Sequence, residues 1–413
     1  MKQEDYISIL RDVMRIESVN GNEKLVAEYY KKLLQKHGIS STIIDYNDKR
    51  ANLVAEITHG EGPVLALSGH LDVVSAGDKS KWRFEPFSGH IEDGVIWGRG
   101  ASDMKGGLTA LVLAFIELSK SKQFTGTVRL LATVGEEIGQ YGSKLLADRG
   151  YVDDVDAMII GEPCNLAVMY AHKGSLNYKL ISEGIAAHSS TPELGSNAIE
   201  HLNTAISMIS KRIEEKATAC PNAVLGTTFH NVTIISGGSQ VNSLPDSAYF
   251  EANVRTVPEF NNSDVINEVR EILEELNRQE GVNLTLEVTA DHSPVEANSK
   301  SRLINTIIDV VENVPHLNPQ YLIQKMGELL GEDLLKLNPS LETLDSLIPI
   351  AVSGTTDAAE FMKVNPEMEL AVYGPGMPML NHKINERLPL SQYLDFIDVY
   401  QSIMKSYLRS KTD

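Results

Sequence analysis

The chain has 413 residues, 42% hydrophobic and 23% charged, enough to bury a large core in two domains, or three, at roughly 100–200 residues each. Lys and Arg number 37 against 56 Asp and Glu, a formal charge of −19, and no basic patch stands out, so neither nucleic acid nor an anionic membrane is the expected partner. The two cysteines, Cys164 and Cys220, exclude a disulfide scaffold or a Cys-rich zinc module and fit a reducing compartment.

The N-terminus, MKQEDYISIL, lacks the apolar core of a signal peptide. No apolar run reaches the ~18 residues of a membrane span, and a soluble, cytoplasmic protein is expected. Two amphipathic helices open the chain. Ile7, Leu10, Met14 and Ile16 mark the first, and Val26, Tyr29, Tyr30, Leu33 and Leu34 the second, which Gly38 stops. Strand and helix then alternate: strand Val64–Leu67, helix 107–119, strand Thr127–Val134, helix 142–149, strand Ala157–Ile160. This is the signature of an α/β layer whose mixed sheet is largely parallel and flanked by helices.

After residue 174 the texture changes. Ser175–Ser182 alternates as a half-exposed strand, and Ile199, Leu202, Ile206, Ile209 and Ile213 line one face of a helix over 196–215. Strands follow at Asn231–Ile235 and Ala248–Arg255, then a helix over 263–279 and a strand at Asn283–Thr289. The order β-α-β-β-α-β is ferredoxin-like. Residues 175–289 therefore read as an inserted α+β domain, and 1–174 with 290–413 as one discontinuous domain. Helix 302–313, strand Leu370–Tyr373 and helix 391–407 complete the latter. Residues 315–350 carry a helical pattern at 321–335 and no evident chemistry.

Chemistry gathers where strands end. Leu65-Ala-Leu67 runs into His70 and Asp72, Val128–Val134 into Glu136 and Glu137, and Met158–Ile160 into Glu162. Ala371–Tyr373 leads on to His382, and Asp103 sits in the Gly-rich WGRGASDMKGG. An HxD or a Glu-Glu pair taken singly reads as ordinary structure. Together, at strand ends where open α/β sheets bind ligands, they would repel one another without cations. His with carboxylate suits zinc, with manganese or cobalt as substitutes. With Asp103 bridging two ions, His70 and Glu162 complete one and His382 and Glu137 the other. Asp72, two residues beyond His70, is placed to take that ring's second N–H. Glu136 is left to move a proton as general base. Cys164 reads as a small core residue, and His90, His172, His201, His230 and His292 receive no role. GRGASDMKGG lacks phosphate-loop spacing.

These stretches, SGHLDVV, WGRGASDMKGG, VGEEIG, GEP and NHKINE, closely resemble a family of di-zinc metallopeptidases. It includes acetylornithine deacetylase, succinyl-diaminopimelate desuccinylase, aminoacylase and carboxypeptidase G, and the resemblance spans nearly the whole chain. It implies the same five metal ligands, with Glu136 as base and Asp72 behind His70. It also implies a cis peptide after Asp103 and a lid domain through which two chains form a homodimer. AHSS resembles the segment whose His, here His188, steadies an oxyanion in a neighbouring subunit. Asn242 in GGSQVNSLP and Arg255 in NVRTVP match substrate-binding positions, and Arg255 suits a carboxylate. Gly354 and Thr355 fall in a substrate loop, SGTTD, in which many members carry a second Gly where this chain has Thr355. The implied reaction is amide hydrolysis of a small anionic N-acyl amino acid or peptide. N-succinyl-LL-2,6-diaminopimelate is the best match, yielding succinate and LL-diaminopimelate for lysine and cell-wall synthesis. N-acetylornithine and dipeptides are the rivals within the family. A metal-dependent binding protein without turnover is the alternative of another class, and Glu136 beside Glu137 argues against it.

Overall fold

The computed structural model describes residues 1–330 and 344–409. The helix expected at 321–335 is found as Pro319–Leu330, and its remainder lies outside the described residues. The chain forms two compact units. One comprises Met1–Tyr170, Ala297–Ile350 and Glu360–Asp413, and the other Ala171–Glu296 with Ala351–Ala359. The inserted unit is thus wider than the expected 175–289 and takes a second piece from the C-terminal half.

In the first unit the strands lie in the order Ser41–Asp45, Ala51–His59, Gly126–Thr133, Val64–His70, Ala157–Ile160, Glu369–Val372, followed by Ala167–His172, whose last two residues are counted with the second unit. The four from Gly126–Thr133 to Glu369–Val372 are parallel, and the others antiparallel. The parallel strands are apolar almost throughout, as strands buried on both faces must be. Ala51–His59 escapes the sequence pattern because Asn52 interrupts it. Asn52 is buried but satisfied: its side chain donates to Gly142 O at 3.1 Å and accepts from Val134 N at 2.9 Å.

Helix Lys105–Ser121 is buried almost all round, packed on strand Val64–His70 and on helix Leu390–Tyr407. Gly107 permits this. A Cβ there would stand 1.9 Å from Gly161 O, so any side chain would lift the helix off the strand end. From Val64–His70 the chain goes next to Gly126–Thr133 on one side and later to Ala157–Ile160 on the other. The strand order therefore reverses at the carboxyl end of Val64–His70, the position at which such sheets form a crevice.

In the second unit, four antiparallel strands run in the order Phe229–Gly237, Ser247–Arg255, Ser175–Glu183, Asn283–His292. That is the ferredoxin-like arrangement read from the sequence. Helices Ala198–Ala219 and Asn262–Leu276 pack together on this sheet around Leu180, Leu202, Ile209, Phe250, Val269 and Ile272. Asn197 caps the first helix, and Asn261 with Asp264 forms a capping box on the second. The edge strand Phe229–Gly237 leaves Phe229, Ile234 and Ile235 exposed. Among the described residues, no helix is long and apolar enough to cross a membrane.

Two histidines of this unit, His172 buried and His230 half-buried, are without charge. His230 Nε2 accepts from Tyr178 OH at 2.7 Å, and His172 donates from Nδ1 to Lys173 O at 2.9 Å. Burial pushes both down to about 4 from 6.5. The unfolded chain therefore takes up these protons first as pH falls, and the stability they confer is present above pH 6.5 and lost toward pH 4. Between pH 7 and 4.5 each should contribute roughly 1–3 kcal/mol of that loss. Denaturant unfolding at the two pH values should show a smaller loss in His230→Gln, which keeps an acceptor for Tyr178. An equal loss in the two proteins would exclude His230 as a source.

Candidate metal centre

Six of the expected residues converge within the first unit. His70 ends its strand, and its Nε2 lies 3.1 Å from Asp103 Oδ1 and 3.4 Å from Glu162 Oε1. His382 Nε2 lies 3.3 Å from Asp103 Oδ2 and 2.9 Å from Glu137 Oε2. The two oxygens of Asp103 thus face different histidines, each with its own further carboxylate. His70, Asp103 and Glu137 form one cluster, and His70, Glu136 and Glu162 another, each with ligand atoms within 4.8 Å of one another.

The electrostatics follow from this crowding. Burial opposes protonation of His70, yet Glu162, Asp103 and Asp72 hold its pKa well above the usual imidazole value. Hydrogen bonds to Asp103 and Glu137 raise His382 to about 10. Burial alone would raise Asp103, but hydrogen bonds from His382 and His70 hold it far below the ordinary carboxylate range. The carboxylates draw positive charge to the cluster, and imidazole nitrogens with carboxylate oxygens at one focus are the donors divalent zinc takes. The residues fit a pair of such ions.

Asp72 lies behind His70, by a different route from the one expected. His70 Nδ1 donates to the main-chain carbonyl of Asp72 at 2.9 Å, while the nearest Asp72 carboxylate oxygen is 3.6 Å away. That carboxylate instead accepts the main-chain N–H groups of Gly135, Glu136 and Glu137 at 2.9, 3.2 and 3.1 Å. It pins the turn that presents both glutamates. Gly135 has φ +73°, and a Cβ there would lie 2.6 Å from Arg50 Nη2. Arg50 is held by buried Glu23 at 2.7 Å and lies against Tyr46 and Tyr141.

The loop carrying Asp103 has anchors that sequence reasoning missed. The Asp103–Met104 peptide is cis, as the resemblance implies; the anchors it did not give are Lys105 and Glu386. Lys105, fully buried, donates to Val13 O at 3.1 Å and Ile16 O at 2.6 Å, and burial lowers its pKa to about 7. Glu386 accepts from Arg99, Gly100, Ser102 and Asp103; burial raises its pKa to about 7, opposed by Arg99. The available signal was position: Arg99 and Lys105 lie in WGRGASDMKGG, and Glu386 closes NHKINE. Cys164 is a core residue as read, its Sγ donating to Ala167 O and its pKa pushed up to about 12 by burial.

The remaining expected residues belong to the second unit. His188 is exposed, with Nδ1 2.7 Å from Ser190 Oγ. Its loop meets that of exposed Asn242, where Ser189 N donates to Asn242 O at 3.1 Å. Arg255, half-buried at the end of its strand, has no carboxylate partner among the described residues, and burial lowers its pKa. Gly354 is exposed and Thr355 half-buried.

Residues 66–406 match the family model described as Peptidase family M20/M25/M40. The chain belongs to this peptidase family. Among its M20/M25/M40 relatives, a "Probable succinyl-diaminopimelate desuccinylase" of Staphylococcus epidermidis is 38% identical over 433 residues, with 99% of each chain covered. A succinyl-diaminopimelate desuccinylase of Wolbachia pipientis wMel is 26% identical, covering 98% of this chain and 93% of its own. The fold is similar to that of an M20 family metallo-carboxypeptidase from Sulfolobus solfataricus, with a TM-score of 0.73 at 19% identity and coverage of 98% and 99%. It is also similar to that of a dinuclear metal-binding M20 peptidase from Bacillus subtilis, with a TM-score of 0.67 at 15% identity and 98% of each chain covered.

If Asp103 serves two ions, its replacement should abolish their joint effect on stability. Zinc added to the chelator-treated wild type should raise the thermal midpoint, because ions bind only the folded state. Asp103→Asn should lose most of that rise. A variant gaining as much as the wild type counts against the shared carboxylate.

Proposed function

We propose that this chain hydrolyses the amide bond of N-succinyl-LL-2,6-diaminopimelate, adding water across it to release succinate and LL-diaminopimelate in lysine and cell-wall biosynthesis. The observation that carries this reading is the Asp103 carboxylate set between His70 and His382, each paired with a second acid. The relative at 38% identity over the full chain supports the substrate.

His70, Asp103 and Glu162 would hold one ion, and His382, Asp103 and Glu137 the other; zinc suits this set, and manganese or cobalt can substitute. When bound, the ions polarise the scissile carbonyl and lower the pKa of the attacking water toward ~7. Glu136 takes the proton of that water and returns it to the leaving amine nitrogen. Asp72 fixes the orientation of Glu136 by holding the main chain of its turn. Glu137 stays with His382, which leaves the proton transfer to its neighbour.

The first unit carries catalysis, and the second acts as lid and dimerisation domain. Arg255 takes a substrate carboxylate: a half-buried guanidinium without an acid partner suits that role. Asn242, Gly354 and Thr355 contribute further substrate contacts. His188 of one chain steadies the oxyanion at the site of its partner. The exposed edge Phe229–Gly237 offers unpaired main chain and apolar side chains for joining two copies. The homodimer is the expected working form, in the cytoplasm.

Two outcomes are expected. Glu136→Gln should retain metal while losing about 10²–10⁴ in rate, measured by succinate release with zinc; unchanged turnover removes Glu136 from the mechanism. Arg255→Ala should raise KM for N-succinyl-diaminopimelate at least tenfold, about the effect of a lost charged hydrogen bond, with little change toward an uncharged amide. Equal losses on the two substrates exclude a carboxylate clamp. Assays of N-acetylornithine and simple dipeptides, each with zinc, manganese and cobalt, test the substrate itself.

A further inference from the structure

Glu386 lies apart from the cluster of ligand atoms, yet few carboxylates in the chain are so completely engaged. It is 0% exposed. Its Oε2 accepts from Arg99 Nη1 at 2.6 Å and Gly100 N at 3.1 Å. Its Oε1 accepts from Ser102 N at 2.8 Å and Asp103 N at 2.9 Å. Its main-chain carbonyl accepts from Gly98 N at 2.9 Å. Five donors from the run Gly98–Asp103 therefore close on one residue. That residue is four positions beyond His382, on the segment that brings His382 Nε2 to within 3.3 Å of Asp103 Oδ2.

We infer that Glu386 is the positioning residue that sets the distance between Asp103 and His382, and so builds the half of the paired site completed by Glu137. The inference rests on the two-ion reading above. The two halves are not held alike. His70 ends a strand, and Glu162 stands two residues beyond the end of the neighbouring one, so the central sheet fixes them. His382 lies on a loop at φ +63°, and Asp103 lies on a Gly-rich loop. Neither belongs to the sheet, and Glu386 ties one loop to the other. Releasing it frees Asp103 Oδ2 from register with His382 while Oδ1 can still meet His70.

Glutamine has nearly the same volume and leaves no cavity. It presents one accepting oxygen, and its NH₂ then faces a pair of N–H donors. Glu386→Asp keeps the charge but is one methylene too short to reach all four donors. As a control, Arg129→Gln removes a hub elsewhere in the same unit, where Arg129 bonds Glu56 at 2.8 Å and both Asp154 Oδ1 at 2.6 Å and Tyr151 O at 2.8 Å.

The experiment is calorimetric titration of zinc into the chelator-treated full chain, with thermal unfolding alongside. The wild type should bind two ions. Glu386→Gln and Glu386→Asp should keep one near wild-type affinity and weaken the other by about 10–100-fold, the usual cost of losing an outer support of a ligand. Arg129→Gln should lower the thermal midpoint and keep both ions. Wild-type affinities for both ions in a folded Glu386 variant would overturn the inference. So would equal weakening in Arg129→Gln, or failure of both Glu386 variants to fold cooperatively, since Glu386 would then serve the fold as a whole. A wild type that binds no ions would instead remove the two-ion reading itself, and this inference with it.

Discussion

The first unit is organised around a carboxylate with two claimants. Asp103 lies almost buried between two imidazoles, with Glu137, Glu162 and Glu136 nearby. Like charges at such density cost several kcal/mol each in a medium poorer than water at screening them. That cost is offset by positive charge at the focus, which the two imidazoles supply when protonated and divalent cations would supply when bound. Much of the surrounding structure serves to keep those acids from separating. The reversal of strand order places two strand ends side by side, Gly107 lets a helix approach them, and Asp72 and Glu386 clamp the two turns that carry the remaining acids.

Both clamps work through the main chain. A carboxylate that accepts two or three backbone N–H groups fixes the conformation of a loop irrespective of the loop's side chains. The result is a division of labour in which some acids meet at the cluster and others hold the peptide that presents them. Arg50, held by Glu23 and flanked by two tyrosine rings, supports the Glu136–Glu137 turn from the other side.

How far the sequence was legible follows from this division. His70 is legible because it ends an apolar strand, and Glu162, Glu136 and Glu137 because they lie two to four residues beyond one, the last two on a turn held by Asp72. The ferredoxin-like order was readable from helices with clear apolar stripes. Strand Ala51–His59 was not, because its buried Asn52 is satisfied by groups more than eighty residues away in sequence. The two-residue spacing along a strand points the Asp72 carboxylate at His70, but the main-chain carbonyl meets the ring and the side chain turns to the amides. Glu386 left no trace beyond its motif, since main-chain donors have no signature in a sequence. The unit boundaries moved for a similar reason: Ala351–Ala359 joins the second unit through contacts that no local pattern announces.

Lys105 links distant parts of the first unit. Its amine is spent on the carbonyls of Val13, in the last turn of the helix Gln3–Met14, and of Ile16 just beyond it, two positions along from Asp103. The opening segment is thereby tied to the loop that carries Asp103. Trimming it, or displacing it with a badly placed fusion, would leave the buried Lys105 amine without its acceptors, two residues from the carboxylate that both imidazoles meet.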